Sequence, residues 1–339
     1  MKLEELLLYL CHLFREERTV SAPYHLLKGK KSGQTIQDVG LFSLYPYFGI
    51  LPKLQRATYD RAIQQLIDQQ LLVIQEDGYY QILHIPEQLQ TNILYFDGWH
   101  YRGNETIFFA RLSLAVQTLS QQQAGDMRFV PLQKDDYVQR FVRGFLIWAQ
   151  YSSGVVGATL KDELTVICEH LTPERAQLLL QRLAGASLSG YSWAQLAQYR
   201  NESPLETQLA FTSVLHECLT LIATLHVPLL QALAQNIRMT EVVTSSAAQT
   251  ANYFYAGDTI EQIAAKRRLK TSTIEDHLIE MAMNDVNFPV EQFVSEEERA
   301  SVLALVEQLQ TKKLRQLKEH VPQLSYFQLR LILAKGGQA

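Results

Sequence analysis

Apolar positions recur at helical spacing along most of the chain. The clearest stretch is Asp258 to Leu278. Ile260, Ile263 and Ala264 form an inward stripe. A short turn follows around Arg267 to Lys270, with Leu269 as its anchor. Ile274, Leu278 and Met281 then recur at i, i+4 and i+7. Asp258 with Glu261 reads as a capping box for the first helix, and Thr271 or Ser272 as the cap of the second. Two short helices joined by a four-residue turn predict a helix-turn-helix, the unit that sets a second helix in the DNA major groove.

The same spacing predicts a helix at the amino end, with Leu6, Leu7, Leu10, Leu13 and Phe14 inward. A basic loop, Lys28 to Gly33, and a turn-rich apolar segment, Gly40 to Lys53, lead to a helix from about Gln55 to Gln70. Leu71 to Ile74 and Tyr79 to Ile85 read as two strands around the tight-turn pair Asp77-Gly78. Residues 101–237 read as all helical. Ile107, Ala110, Leu114 and Val116 share one helix, and Phe141, Phe145 and Trp148 form a core stripe on the next. Thr172-Pro173 starts another, and a long helix runs from Leu205 to Leu225. Ser295 and Glu298 form a capping box near the carboxyl end, and Pro322 opens a last helix. The predicted fold is mainly α. It has a winged-helix-like α+β domain (1–100), a central helical bundle (101–237) and a helix-turn-helix domain (238–339).

Charge narrows the functional classes. The formal net charge is −4, and each of the three stretches is close to balanced, so any nucleic-acid surface is a local patch. Two such patches stand out: Lys266, Arg267, Arg268 and Lys270 in the turn, and Lys28, Lys30 and Lys31 in the basic loop. After Thr311 come Lys312, Lys313, Arg315, Lys318, Arg330 and Lys335 against only Glu319, and Lys312 and Lys313 are expected to join the basic turn in one phosphate-binding surface if the two face the same way. Thr271, Ser272, Thr273 and His277 are the expected outward contacts of the second helix. Glu275, Asp276 and Glu280 on its outer face oppose phosphate. Three cysteines fit a reducing, cytoplasmic setting without a disulfide framework, and no apolar run is long enough to span a membrane.

Catalytic signals are weak. The chain has no glycine-rich phosphate loop ending in Gly-Lys-Ser or Gly-Lys-Thr, so it is not expected to be a motor, and no cofactor is expected. Cys168-Glu169-His170 and His216-Glu217-Cys218 resemble ligand pairs. Residues two apart diverge on a helix, so ordinary buried thiols are expected and no metal site. Asp135-Asp136 and Asp162-Glu163 read as solvated acidic faces.

A family resemblance rests on particular residues. Leu26-Leu27-Lys28-Gly29-Lys30-Lys31, Gly40-Leu41-Phe42-Ser43-Leu44-Tyr45 and Gly49-Ile50 resemble the winged-helix domain of RecQ-type helicases. So does Leu66-Ile67-Asp68-Gln69-Gln70-Leu71-Leu72. Lys28 stands where that pattern has arginine, and Gln70 where it has glycine. Lys270 to Leu278 resembles the helicase-associated helix-turn-helix domain at RecQ carboxyl termini. Together the two ends resemble the YpbB-like proteins, whose gene typically sits beside a RecQ helicase gene. The resemblance implies a non-enzymatic DNA-binding accessory factor working with a RecQ-type helicase in DNA repair or recombination. Two other classes stay open: a helix-turn-helix transcription regulator, and a protein-interaction adaptor that does not bind DNA.

Overall fold

A computed structural model describes residues 1–87, 89, 94–126, 128–239 and 243–336. The fold is mostly helical, with one two-stranded sheet among the described residues. The chain divides into two compact units. The first comprises Met1–Leu6, Ile50–Pro52 and Glu87–Thr240. The second comprises Leu7–Gly49, Lys53–Pro86 and Glu241–Ala339. The two ends of the chain, read in the sequence as separate domains, therefore pack as one body.

The first unit is a helical bundle. After α5 (Gly98–Tyr101) come α6 (Glu105–Gln123), α7 (Asp136–Trp148), α8 (Val156–Glu169), α9 (Pro173–Gln181), α10 (Trp193–Arg200), α11 (Pro204–Thr224) and α12 (Pro228–Leu233). Phe108, Leu112, Ala115, Leu160, Leu196, Val214, Leu215 and Leu230 form its continuous core. The six-residue α12 is held at both ends by buried charge. Glu163 accepts from the Leu229 and Leu230 amides at 3.0 and 2.8 Å. The Arg111 guanidinium donates to the Leu233 and Gln235 carbonyls at 3.1 and 2.8 Å. Each charge opposes the helix partial charge beside it. Glu163 is thus not part of a solvated acidic face. Asp135 caps α7 by accepting from the Tyr137 and Val138 amides. The expected aromatic stripe is only partly core: Phe145 is buried, but Trp148 is 60% exposed.

The second unit begins with α1, which spans Leu3–Leu13 and straddles the division. Then follow α2 (Ala22–Leu27), α3 (Gly33–Leu41), α4 (Arg56–Asp68) and a hairpin of β1 (Leu72–Ile74) and β2 (Tyr80–Ile82). The strands pair antiparallel, with Val73 opposite Gln81. Gly78 takes φ +81°, as a tight turn at Asp77-Gly78 requires. Gln70, standing where the winged-helix pattern has glycine, takes φ +57°. Helix α3 lies across the stretch read as a basic loop and a turn-rich segment. Its inner face is mixed: Thr35, Gln37 and Asp38 are buried together with Ile36, Val39 and Leu41, and the polar members interrupt the apolar periodicity.

The carboxyl half of this unit contains α13 (Ser245–Tyr255), α14 (Ile260–Arg267), α15 (Thr271–Asn284), α16 (Glu296–Leu309), α17 (Leu314–His320) and α18 (Tyr326–Gly336). The capping box of α14 is Thr259 with Gln262, one residue beyond the expected pair. Asp258 instead accepts from Lys266 Nζ at 2.6 and 2.7 Å. Lys270, not Thr271 or Ser272, is the N-cap of α15, and its side chain makes no capping bond. Ser295 and Glu298 cap α16 as expected. The last helix starts at Tyr326 rather than Pro322. Ser325 and Gln328 bond reciprocally at its start, at 2.8 and 3.1 Å.

Candidate nucleic-acid interface

Helices α14 and α15 form the helix-turn-helix, with Arg268 at φ +54° closing α14 and Lys270 opening α15. Helix α15 is packed on several sides by α13, α14, α18 and α3. Ile274 and every residue from His277 to Met283 are buried. Only its first turn opens outward, with Thr271 and Ser272 exposed and Thr273 half-buried.

The approach of α3 is set by two glycines. A Cβ on Gly33 would stand 2.2 Å from Asp276 Cγ, and one on Gly40 would stand 2.6 Å from Met283 Cε. Positions 33 and 40 therefore run alongside 276 and 283 in the same direction. The two helices are parallel, and α3 begins about 7.5 Å along α15 at 1.5 Å per residue. Lys30 and Lys31, exposed just before α3, thus belong to the same end of the helix pair as exposed Arg268 and Lys270. Both positive helix ends point the same way, and with no side chain capping the first turn of α15 the Thr271 and Ser272 amides can donate to an anion.

Many of the other basic side chains are already engaged. Arg267 donates to the Ser246 carbonyl at 2.7 Å, to Ser246 Oγ and Gln249 Oε1 at 3.1 Å, and to Thr250 Oγ1. It fastens α14 to α13. Lys28 reaches the Leu54 carbonyl at 3.4 Å and lies over the Tyr24 ring. Lys312 Nζ donates to the Leu41 carbonyl, and its amide donates to both Glu17 carboxylate oxygens at 3.0 and 2.9 Å. Burial, helped by Arg15, lowers its pKa against the pull of Glu17. Lys313 stands over the Tyr79 ring. Arg330 pairs with Asp276 at 2.6 Å and donates to Gln37 Oε1 at 2.6 Å, tying α18, α15 and α3 together. The basic tail is therefore largely a set of internal clasps.

His277, expected to face outward, is 8% exposed, and its Nδ1 lies 2.8 Å from Thr250 Oγ1. Burial lowers its pKa, Arg267 adds to that, and Asp276 opposes it. It is at position i+3 from Ile274, on the same side of the helix, so the core claims it.

The acidic objection to phosphate shrinks correspondingly. Glu280 is buried and accepts from the Thr244 amide at 2.6 Å and from Thr244 Oγ1 at 3.0 Å. Asp276 is neutralised by Arg330. Glu275 remains, half-buried. Desolvation raises its pKa against the pull of Arg330, and Asp276 and Glu261 push the same way as desolvation.

The sulfur and histidine pairs of the first unit lie on α8 and α11. His216 Nδ1 accepts from the Asp97 amide at 2.9 Å, while Cys218, buried on the same helix, has its thiol pKa pushed up by burial. Cys168 is half-buried on α8. No group of three potential metal ligands occurs among the described residues. No described helix is long and apolar enough to cross a membrane.

Comparison with known proteins agrees with the helix-turn-helix. Residues 246–333, from α13 into α18, match a family described as a helix-turn-helix domain. Protein YpbB of Bacillus subtilis (strain 168) is 29% identical over 332 residues, covering 95% of this chain and 94% of its own length. No solved structure matches the chain. The chain is thus similar to Protein YpbB along nearly its whole length, and it carries a helix-turn-helix domain toward its carboxyl end.

Proposed function

We propose that the protein is a non-enzymatic DNA-binding accessory factor that works with a RecQ-type helicase in DNA repair or recombination. The observation that carries DNA binding is the open end of the α3–α15 pair. There Lys30, Lys31, Arg268 and Lys270 are exposed beside the uncapped first turn of α15. Recognition helices of this class contact base edges with their amino-terminal residues, and Thr271, Ser272 and Thr273 occupy that position here. Phosphate binds where cations and free helix amides converge. With Glu280 buried and Asp276 paired, Glu275 and Glu261 are the carboxylates left to oppose it. The helicase partnership is supported by the resemblance of both chain ends to RecQ modules. The hairpin after α4 is the candidate wing.

Purified protein titrated into forked, duplex and single-stranded DNA of unrelated sequence, across a salt series, tests DNA binding. Steep salt dependence without sequence preference is expected. No binding at low salt would overturn it. Addition of the protein to a purified RecQ-type helicase unwinding forked DNA tests the partnership. An unchanged unwinding rate would overturn that half alone.

A further inference from the structure

The outer face of α7 in the first unit is exposed where the chain places large side chains. Tyr137 is 59% exposed, Ile147 66% and Trp148 60%. Arg140, Arg143 and Gly144 are exposed on the same arc. At 100° per residue Tyr137, Gly144 and Trp148 form nearly one line, with Arg140 and Ile147 beside it.

Gly144 is the unusual member. It sits in the interior of a 13-residue helix, and a Cβ built there would meet nothing within 4 Å. Glycine at such a position costs about 0.5–1 kcal/mol relative to alanine, and no intramolecular packing explains it. A glycine between exposed aromatics allows another backbone to come close.

The geometry points to a second copy of this chain as the occupant, with two α7 helices crossing antiparallel at Gly144. About a two-fold axis through that crossing, positions equidistant from residue 144 oppose one another. Arg140 and Trp148 are each four residues, about 6 Å, from Gly144. The crossing therefore sets Arg140 of each copy against Trp148 of the other, giving two symmetric cation–π contacts. A parallel crossing would instead align Arg140 with Arg140 and Arg143 with Arg143, which like-charge repulsion disfavours. Arginine over an aromatic ring is a recurrent contact of this unit: Arg111 lies 3.6 Å from the Phe141 centroid, Arg182 4.2 Å from Trp193, and Arg102 4.2 Å from Trp99. One helix face is small against the roughly 800 Å² per partner of a standard interface, so the association is weak and concentration-dependent. This inference is independent of DNA binding.

Sedimentation equilibrium of the full chain without DNA, from about 1 to about 100 µM, tests it in the range where small interfaces associate. Dimer is expected to grow with concentration. Trp148→Glu should weaken it by at least about tenfold. Trp148 also meets the Phe145 ring, with centroids 6.1 Å apart, so the variant's denaturation midpoint should fall slightly, and a variant still folded at the assay temperature separates loss of the dimer contact from loss of fold. Gly144→Cys should form a disulfide-linked dimer with oxidised glutathione, since two-fold crossing brings the two positions within bonding reach. Val130→Cys, 80% exposed elsewhere in the unit, should not. A monomer at every concentration would overturn the proposal. So would a dimer that Trp148→Glu leaves intact and Gly144→Cys fails to link.

Discussion

The two ends of α15 carry similar polar side chains and meet different fates. From His277 to Met283 the helix is enclosed, and its polar groups are spent on neighbours: His277 on Thr250, Glu280 on Thr244. At Thr271 and Ser272 the helix is open, the N-cap side chain makes no bond, and exposed cations gather from two separate chain segments. A charge pattern on a helix is thus not a surface pattern. The same residue type is a clasp or a contact according to what packs over it.

Closing the approach of α3 should break the comparison most severely. Gly33→Leu drives a side chain into Asp276, which Arg330 holds in place. Overpacking of this kind costs about 1–3 kcal/mol, and displacing α3 carries Lys30 and Lys31 away. Denaturant unfolding should show the loss of stability, and DNA affinity should fall with it. At the enclosed end, Glu280→Ala strips both bonds from the cap of α13. A cost of about 1–3 kcal/mol is expected with no change in the salt slope of DNA binding, measured on the folded fraction.

A smaller effect concerns pH. The folded-state pKa of His277 is depressed, mainly by burial. As pH falls below its ordinary value of about 6.5, the unfolded chain takes the proton first. His277 then contributes a loss of stability that is absent above that pH and grows as pH drops toward its folded value. His277→Gln should flatten part of the stability decline below about pH 6.5, followed by thermal unfolding at several pH values. The smallest effect is at the open end. Glu275→Gln removes one of the carboxylates there, Glu261 being the other, and should raise DNA affinity by less than about tenfold in a direct titration.

How much of this was legible beforehand follows the same physics. The helix-turn-helix, the hairpin at Asp77-Gly78 and the capping box at Ser295 are local signals, and they appear where spacing and turn chemistry put them. Helix α3 was not legible, because Gln37 and Asp38 are buried beside Ile36 and Val39 and interrupt the apolar stripe: Asp38 meets Arg18 at 2.8 Å, and Gln37 meets Arg330. Those partners are distant in sequence. The roles of Arg267, Lys312 and Arg330 were hidden for the same reason, since a basic run reads alike whether its cations are free or clasped. Gly33 and Gly40 held the missing clue, for they permit the contact that sets two helix ends side by side. Trp148 and Phe145 share a helical stripe, yet the core closes over only Phe145.

The central claim is that the open end of the α3–α15 pair holds phosphate. Its most direct test is the salt dependence of duplex binding for a protein with Lys30, Lys31, Arg268 and Lys270 all replaced by alanine. The comparison is a charge-matched variant replacing exposed Arg61, Arg128, Lys134 and Lys161. The account predicts that the first variant loses about 3–4 from the magnitude of its slope, at roughly 0.9 per phosphate, while the second keeps the parent slope. Equal slopes in the two variants would contradict it.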